Sequence, residues 1–428
     1  MTFRTMAGRL LGVLTAGALT AGALSALAAQ GAVADDGPGC DQQCLIDQAW
    51  AAQRANALPR TSFYDAPQPL PWRPAGTLIR AETAGDYRET VPATATRILY
   101  HSRTAGGRDI AASGVVLTPL TSPPSGGWPV VVDAHGTSGT NPDCAPSLMK
   151  NLYHGNQMAA FLARGWAVVA PDYAGLGVAG GSEYLNKTAE ANDVLGSVTA
   201  ARRAVPQLSR RWVLWGHSQG GQAALAVAER QVDQPDPGYL GAVVTSPAAL
   251  LPELIANAAY QPAGPLPLSG LLPLIAGGAK VTHPELALDQ VLTPEALSRL
   301  HVADTGCLDV VAVTYADLTG DALVQPNHLS EPSFHRYLRS NTAGESPVRG
   351  PVLLLQGTAD TLTPAEITDR TAAALCQQHA QLDYRKYPGL WHDTIPWLGS
   401  GIDDGAMPDI LAWTADRFAG APASSTCP

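Results

Sequence analysis

A serine lies among three glycines in the stretch GHSQGG, residues 216–221. Gly216, Ser218 and Gly220 have the spacing G-x-S-x-G, which is typical of a serine nucleophile held at a sharp turn between a strand and a helix. The strand-like run RWVLW precedes this stretch, and the alanine-rich run QAALAVAERQ follows it. A Cβ atom at either glycine would collide across so sharp a bend, so the two glycines indicate a strand that turns directly into a helix. A serine at the centre of such a turn is held out from the sheet, which favours a nucleophile. The alternative is a serine that only caps the helix.

A serine hydroxyl is a weak nucleophile unless a histidine base and an orienting carboxylate activate it. In folds that use this serine turn, the acid and then the histidine follow the serine along the chain. Asp360 comes directly after the buried strand pattern VLLLQG, and His392 lies in the loop after the last strand pattern, LDYRKY. The order predicts a triad of Ser218, Asp360 and His392. The structural alternatives are an aspartate in a polar turn and a histidine packed beside Trp391.

Acyl transfer also needs backbone N–H groups that face the oxygen on which negative charge develops. Gln219 follows the nucleophile at the start of the predicted helix and is expected to supply one of them. The loop after the strand pattern WPVVVDA reads HGTSGT, so Gly136 or Thr137 is expected to supply the other. His217 and Gly220 complete the predicted nucleophile turn.

The elements that must position these residues alternate between buried strand patterns and helical patterns. TRILYHSRT and RDIAASGVVLTP predict an antiparallel hairpin, and WPVVVDA and PVLLLQG are continuous apolar runs typical of strands buried on both faces. This alternation predicts an α/β fold with a mainly parallel sheet and helices on both faces. Between Pro247 and Pro351, short helical patterns broken by proline and glycine interrupt it, and we predict an inserted helical cap there.

The N-terminus has the pattern of a secretory signal peptide. Arg4 and Arg9 form a weakly basic start before an apolar run from Leu10 to about Ala29, and the small-residue sequence AVA precedes Asp35. Cleavage near Ala34 predicts a secreted protein, and the alternative is an uncleaved membrane anchor. The predicted segments are a signal peptide (1–34), an irregular N-terminal segment (35–90), the first part of the core (91–247), the cap (248–349) and the second part of the core (350–428).

Composition excludes several kinds of partner and site. The formal net charge is −10 at pH 7, and it becomes −12 when residues 1–34 are removed, because they contain two arginines and no acid. An acidic surface argues against nucleic acid and anionic membranes as partners. All six cysteines follow residue 34, and an even number in an exported chain favours disulfides, although fifteen pairings are open. A zinc site is the alternative, but CDQQC has no second close pair, so we predict no metal. Acyl transfer by a serine nucleophile with deacylation by water needs no cofactor, and we predict none.

The motifs HGT, PDYAGLG, GHSQGG, GTADTLTP and GLWH occur in this order. Over about residues 90 to 415 the chain thereby resembles the secretory lipase family, the lipase A-like group of the α/β hydrolases. The resemblance implies the α/β-hydrolase fold, the same triad and oxyanion residues, and a helical cap over an acyl pocket. It also implies three disulfides: Cys144–Cys307, Cys376–Cys427 and, from the two cysteines that remain, Cys40–Cys44.

The function that the resemblance implies is that of a secreted serine ester hydrolase, a lipase or carboxylesterase. Its substrate would be a small-molecule or lipid ester, with transient contact at a lipid interface. Two other functions stay open. One is an exported serine peptidase of the aminopeptidase kind on the same fold, and the other is a catalytically inactive binding protein with a hydrolase fold.

Overall fold

The computed structural model describes residues 40–88, 91–259, 268–394 and 399–428, so the predicted signal peptide lies outside the described residues. One β-sheet forms the centre of this part of the chain. Its strands are β1 (Leu78–Ala84), β2 (Ala93–Arg103), β3 (Asp109–Pro119), β4 (Trp128–Ala134), β5 (Ala167–Pro171), β6 (Leu208–His217), β7 (Tyr239–Thr245), β8 (Val352–Gly357) and β9 (Leu382–Tyr387).

The strand order in the sheet is β1-β2-β3-β5-β4-β6-β7-β8-β9. From β5 to β9 all neighbouring strands are parallel. β2 is antiparallel to both of its neighbours, β1 and β3, and β3 is antiparallel to β5. β2 and β3 form the predicted hairpin, in register from Ala93–Pro119 to Arg103–Asp109. The prediction of a mainly parallel sheet is therefore confirmed.

Helices cover both faces of the sheet, as the alternating pattern predicts. The α-helices of the described residues are α1 (Gln42–Asn56), α2 (Gly155–Leu162), α3 (Lys187–Ala204), α4 (Gln219–Asp233), α5 (Leu251–Ala259), α6 (Leu271–Thr282), α7 (Pro294–Ser298), α8 (Leu308–Thr314), α9 (Pro332–Ser340), α10 (Ala365–Gln377), α11 (Ile402–Gly405) and α12 (Met407–Ala419). Helices α3, α4 and α10 pack on one face, and α2, α11 and α12 pack on the other. Val130 and Val132 of β4 contact the first set and Val131 the second, because successive side chains of a strand point to opposite faces. Within the described ranges no helix has both the length and the apolar character needed to cross a bilayer.

Helices α5 to α9 lie between β7 and β8 in the chain, in the part where the helical cap is predicted. They have an apolar core of their own, which includes Ile275 of α6 and Phe334 of α9. Tyr184 and Leu185, from the connection between β5 and α3, belong to the same apolar cluster. The insertion, called the cap below, therefore packs on the core above that connection.

The N-terminal segment is not irregular throughout, so that prediction is wrong. Helix α1 lies at Gln42–Asn56 and packs against α8 of the cap, and β1 extends the sheet by pairing with β2. The apolar periodicity of the α1 sequence is weak, because Ala49 is the one residue of this helix that is fully buried. β1 is an edge strand with the polar residues Arg80 and Glu82, so it lacks the continuous apolar run that identifies the central strands.

Candidate active site

The turn between β6 and α4 has the tight geometry that the glycine spacing predicts. Ser218 occupies it with φ 59° and ψ −116°, a backbone conformation that residues with a side chain rarely adopt. A Cβ atom at Gly216 would lie 2.0 Å from the carbonyl oxygen of Gly220, and one at Gly220 would lie 1.7 Å from that of Ala134. The close approach of β6, α4 and the end of β4 therefore requires both glycines.

The hydroxyl of Ser218 does not cap the helix that follows it. Ser218 is the residue before α4, but its side chain accepts no hydrogen bond from the helix N–H groups. Its backbone N–H donates to the carbonyl of Thr245 at the end of β7, 3.0 Å away, and the residue is half-buried. The interpretation of Ser218 as only a helix cap is therefore wrong. The serine lies at the carboxyl edge of the parallel strands, where open α/β sheets bind ligands.

Asp360 and His392 are in direct contact. Asp360 follows β8 and His392 follows β9, and these strands are parallel neighbours, so both residues lie at the same edge of the sheet. Nδ1 of His392 is 2.7 Å from Oδ2 of Asp360. Oδ1 of Asp360 accepts the backbone N–H groups of Leu362 and Thr363, each at 2.9 Å, and the Thr363 hydroxyl donates to Oδ2 at 2.8 Å. These bonds fix the carboxylate, which in turn orients the imidazole.

Each member of this pair shifts the pKa of the other. Burial by itself raises the pKa of Asp360, but the charge and hydrogen bond of His392 more than offset it and hold that pKa below its ordinary value. Burial by itself lowers the pKa of His392, but the carboxylate of Asp360 more than offsets it and raises that pKa above its ordinary value. The pair thus favours a charged imidazolium, which is the form that a histidine base takes after it accepts a proton from a serine.

His217 connects the turn of the nucleophile with the loop of the base. Its Nε2 donates to the backbone carbonyl of His392 over 3.1 Å, and the centroids of the two rings lie 4.6 Å apart. Burial, with His392 and His154 nearby, holds the pKa of His217 well below its ordinary value, so the ring is neutral. The sequence pattern indicates His217 only as a residue of the turn and does not reveal this contact. The available signal was a polar residue at the end of a central, buried strand.

The loop after β4 is packed by two tyrosines. A Cβ atom at Gly136 would lie 2.9 Å from the hydroxyl of Tyr153, so the loop backbone approaches this tyrosine closely. The same hydroxyl donates to the backbone carbonyl of Thr137 over 3.1 Å. The side-chain hydroxyl of Thr137 lies 2.6 Å from the hydroxyl of Tyr184. Main chain and side chain of this loop are therefore both held in place.

The predicted oxyanion donors lie where this loop meets the start of α4. A Cβ atom at Gly220 would lie 2.8 Å from the carbonyl oxygen of His135, so the two backbones are in contact. Within the described ranges, no hydrogen bond uses the backbone N–H of Gly136, Thr137 or Gln219. These three N–H groups therefore have no hydrogen-bond partner among the described residues, as the predicted role requires.

The disulfides have the predicted pairing. They are Cys40–Cys44, Cys144–Cys307 and Cys376–Cys427. The pair of Cys144 and Cys307 joins the loop after β4 to the start of α8 in the cap. Beside it, the backbone N–H of Leu308 donates to the carbonyl of Ser138 over 2.9 Å. The loop that carries two of the predicted oxyanion donors is thus covalently tied to the cap.

A cavity of about 540 Å³ lies between the core and the cap, next to the predicted nucleophile turn. Gln219 and Glu190 form part of its wall on the core side, and Val281 and Asn341 form part of it on the cap side. Ser218 and His392 do not line it, so the cavity adjoins the predicted site rather than containing it. It offers room for a part of a ligand beside the turn.

Comparisons with known proteins identify one family. The model of the secretory lipase family matches residues 153–426, which is more than half of the chain. A protein of Mycobacterium tuberculosis (strain CDC 1551 / Oshkosh), named as a probable inactive lipase, is 26% identical over 379 residues. That alignment covers 84% of this chain and 82% of the mycobacterial protein.

Solved structures show the same fold at low sequence identity. Lipase A of Candida antarctica superposes with a TM-score of 0.72 at 19% identity, over 87% of this chain and 89% of that one. The rice cell wall degrading esterase LipA of Xanthomonas oryzae superposes with a TM-score of 0.62 at 18% identity, over 81% of this chain and 97% of that one. The predicted α/β-hydrolase fold is therefore confirmed.

Proposed function

The chain belongs to the secretory lipase family, and from this premise we propose that it is a secreted serine hydrolase of carboxylic esters, a lipase or carboxylesterase. The observation that carries the proposal is the 2.7 Å contact of His392 with Asp360, at the sheet edge where Ser218 keeps its hydroxyl free of the helix. A nucleophile, a base and an orienting acid are the set that acyl transfer requires.

In the proposed acylation, Oγ of Ser218 attacks the carbonyl carbon of the ester while Nε2 of His392 takes the hydroxyl proton. The electron pair of the carbonyl π bond moves to its oxygen. The N–H of Gln219, with that of Gly136 or Thr137, stabilises the resulting oxyanion. Asp360 stabilises the imidazolium and keeps Nδ1 protonated.

The intermediate then expels the alcohol, which takes the proton from His392, and the acyl group stays on Ser218. In deacylation a water molecule attacks the acyl carbon while His392 takes one of its protons. The second intermediate collapses, Ser218 regains its proton from His392, and the carboxylic acid leaves. Water is the only reactant besides the ester.

The name of the mycobacterial relative supports a second candidate function, that of a hydrolase-fold protein without catalytic activity. In this chain Ser218, Asp360 and His392 are all present. Three hydrogen bonds from Leu362 and Thr363 hold the carboxylate of Asp360, and a fourth contact joins it to His392, as in a working pair. This geometry favours the active candidate.

The deciding experiment compares wild type with Ser218→Ala in the hydrolysis of short-chain p-nitrophenyl esters. Ser209→Ala is the matched control, because Ser209 lies on the same strand, β6, at its opposite end. We expect Ser218→Ala to lose about 10⁴-fold or more in kcat and Ser209→Ala to keep the wild-type rate. A fluorophosphonate probe should label wild type and Ser209→Ala but not Ser218→Ala. A wild type that is neither active nor labelled would establish the inactive candidate instead.

The substrate class is tested with the same enzyme. A lipase hydrolyses emulsified long-chain triacylglycerols, whereas a carboxylesterase prefers short, soluble esters. Release of p-nitroaniline from aminoacyl anilides, without ester hydrolysis, would instead support an exported serine peptidase.

We also propose export, with removal of residues 1–34. The three disulfides support it, because disulfides form and persist in oxidising compartments. N-terminal sequencing of the exported protein should start at Asp35. A mature protein that still contains the apolar run would support the membrane anchor instead.

A further inference from the structure

The side chain of Gln219, next to the proposed nucleophile, is bonded to a buried carboxyl group. Nε2 of Gln219 donates to Oε1 of Glu190 on α3 over 2.7 Å, and the backbone N–H of Leu185 donates to the same oxygen over 2.9 Å. Glu190 is 2% exposed and Gln219 is 3% exposed. Glu190 is not among the residues that the sequence predicts for the site, because a glutamate in a helical pattern gives no sign of burial.

The other oxygen of each group has no partner. Oε2 of Glu190 and Oε1 of Gln219 are buried and accept no hydrogen bond from any described residue. Two buried acceptors without a donor are unfavourable. A proton on Oε2 of Glu190 would supply the missing donor, because that O–H would donate to Oε1 of Gln219 while Nε2 of Gln219 donates to Oε1 of Glu190. The acid and the amide would then form a closed pair with two hydrogen bonds.

The surroundings of Glu190 favour the neutral acid. The titratable groups that face it are Asp193 on α3, Tyr173 after β5, Tyr184 before α3 and Tyr337 on α9, and none of these is a cation. Burial raises the pKa of Glu190 to about 8, the two donated hydrogen bonds partly oppose this, and Asp193 adds to the increase. At neutral pH the proton that the pair needs is therefore present.

We propose that Glu190 is a positioning residue that, as a neutral acid, holds Gln219 in a two-bond pair and so fixes the N–H beside Ser218. The inference rests on the proposed function, in which that N–H binds the oxyanion. When Glu190 loses its proton, its Oε2 and Oε1 of Gln219 face each other as two acceptors and repel. The amide must then turn, and Gln219 loses its fixed position at the start of α4. The rate of the reaction falls as a result.

Three variants separate this role from a merely structural one. Glu190→Gln can reproduce both bonds with its own carboxamide, but it does not ionise. Glu190→Leu removes both bonds. Asp193→Asn is the matched control, because Asp193 is a second buried acid on α3 whose partners are Ser102 and the N–H of Ala174 rather than Gln219.

The first readout is kcat and KM for ester hydrolysis as a function of pH. We expect the ratio of kcat for wild type to kcat for Glu190→Gln to fall above about pH 8, because the titration of His392 affects both proteins alike. The same fall is expected when Asp193→Asn takes the place of wild type in this ratio. Below about pH 8, Glu190→Leu should lose about tenfold in kcat relative to wild type, less than the loss of a whole oxyanion donor, with little change in KM. The proposal is overturned if the ratio of wild type to Glu190→Gln does not depend on pH, or if Glu190→Leu reduces kcat no more than Asp193→Asn does.

The second readout is the free energy of unfolding, which does not depend on catalysis. A carboxyl group whose pKa is raised in the folded protein stabilises the fold at low pH, and this contribution is lost as pH rises to the folded pKa. The stability of wild type relative to Glu190→Gln should therefore fall between about pH 4.5 and pH 8 and then level off. A stability difference between wild type and Glu190→Gln that does not depend on pH overturns the proposal that Glu190 is a neutral acid. A wild type that hydrolyses no ester, but shows this difference, supports the pair and overturns the proposed function together with the catalytic role of Glu190.

Discussion

The imidazole of His217 donates a hydrogen bond to the backbone carbonyl of His392, although 175 positions separate the two residues in the chain. The residue before the proposed nucleophile thus holds the main chain of the loop that carries the proposed base. Asp360 acts on the same histidine differently, because it binds the ring at Nδ1. Two separate contacts therefore fix the position of His392, one to its backbone and one to its side chain.

Replacement of His217 by leucine should remove the backbone contact and keep the site apolar. We expect kcat for ester hydrolysis to fall by about tenfold, which corresponds to about 1.4 kcal/mol of lost positioning. The free energy of unfolding should fall by about 1 kcal/mol, because the carbonyl of His392 loses its donor. His217→Gln keeps an N–H donor and should lie between wild type and His217→Leu. Equal kcat values for wild type and His217→Leu would contradict the positioning role.

Asp360→Asn should lower kcat by about 10³- to 10⁴-fold and change the pH profile. In wild type a protonated His392 cannot take the proton of Ser218, so kcat/KM is lost as pH falls through the raised pKa of His392, above the ordinary 6.5. Without the carboxylate this pKa decreases, and the acid limb of the residual activity should move to lower pH. The measurement is kcat/KM from about pH 5 to pH 10. An acid limb at the same pH in both proteins would show that Asp360 does not set the pKa of the base.

Gly216→Ala should destabilise the fold, because the new Cβ would lie 2.0 Å from a backbone oxygen. We expect a loss of about 3 kcal/mol in the free energy of unfolding. Gly277→Ala in α6 is the control, since the added Cβ has no neighbouring atom within 4 Å. Because alanine favours the helix more than glycine does, this change should increase the free energy of unfolding by as much as about 1 kcal/mol. Chemical denaturation measures both. A Gly216→Ala protein as stable as Gly277→Ala would rule out the steric explanation of the nucleophile turn.

Removal of the disulfide between Cys144 and Cys307, by alanine at both positions, should lower stability and activity together. The two cysteines are 163 positions apart, whereas Cys376 and Cys427 are 51 apart. Loop-closure entropy then predicts a loss about 1 kcal/mol larger for the first pair than for the second. Only the first pair holds the loop of Gly136 and Thr137, so only its removal should lower kcat. A similar fall in kcat for both double variants would point to general destabilisation instead.

The central strands and the contact between Asp360 and His392 could be predicted from the sequence. Continuous apolar runs identify strands that are buried on both faces, and parallel strands bring the residues that follow them to one edge. The glycine spacing around Ser218 has a steric cause that depends only on the local chain. For these reasons the positions agree with the prediction, while the catalytic roles stay predictions until they are measured.

Glu190 and α1 could not be predicted in the same way. Glu190 has the spacing of an ordinary helical residue, and its hydrogen-bond partner Gln219 lies 29 positions further along the chain. Helix α1 packs on the cap with one narrow side, so its sequence lacks a wide apolar stripe. In both cases the decisive contacts come from distant segments, and local patterns carry no information about them.

The tie between the loop after β4 and the cap limits how the cap can move. The chain segments that enter and leave the cap run side by side, since the N–H of Ala343 donates to the carbonyl of Ala249 over 3.1 Å. Together they would form a single hinge about which a rigid cap could swing. Cys307 is held to Cys144, which follows β4, and β4 lies two strands from β7, after which the chain enters the cap. This bond is a second attachment of the cap to the core, so a rigid cap would not be free to swing about its entry and exit segments alone, and reduction of the disulfide would remove that restraint.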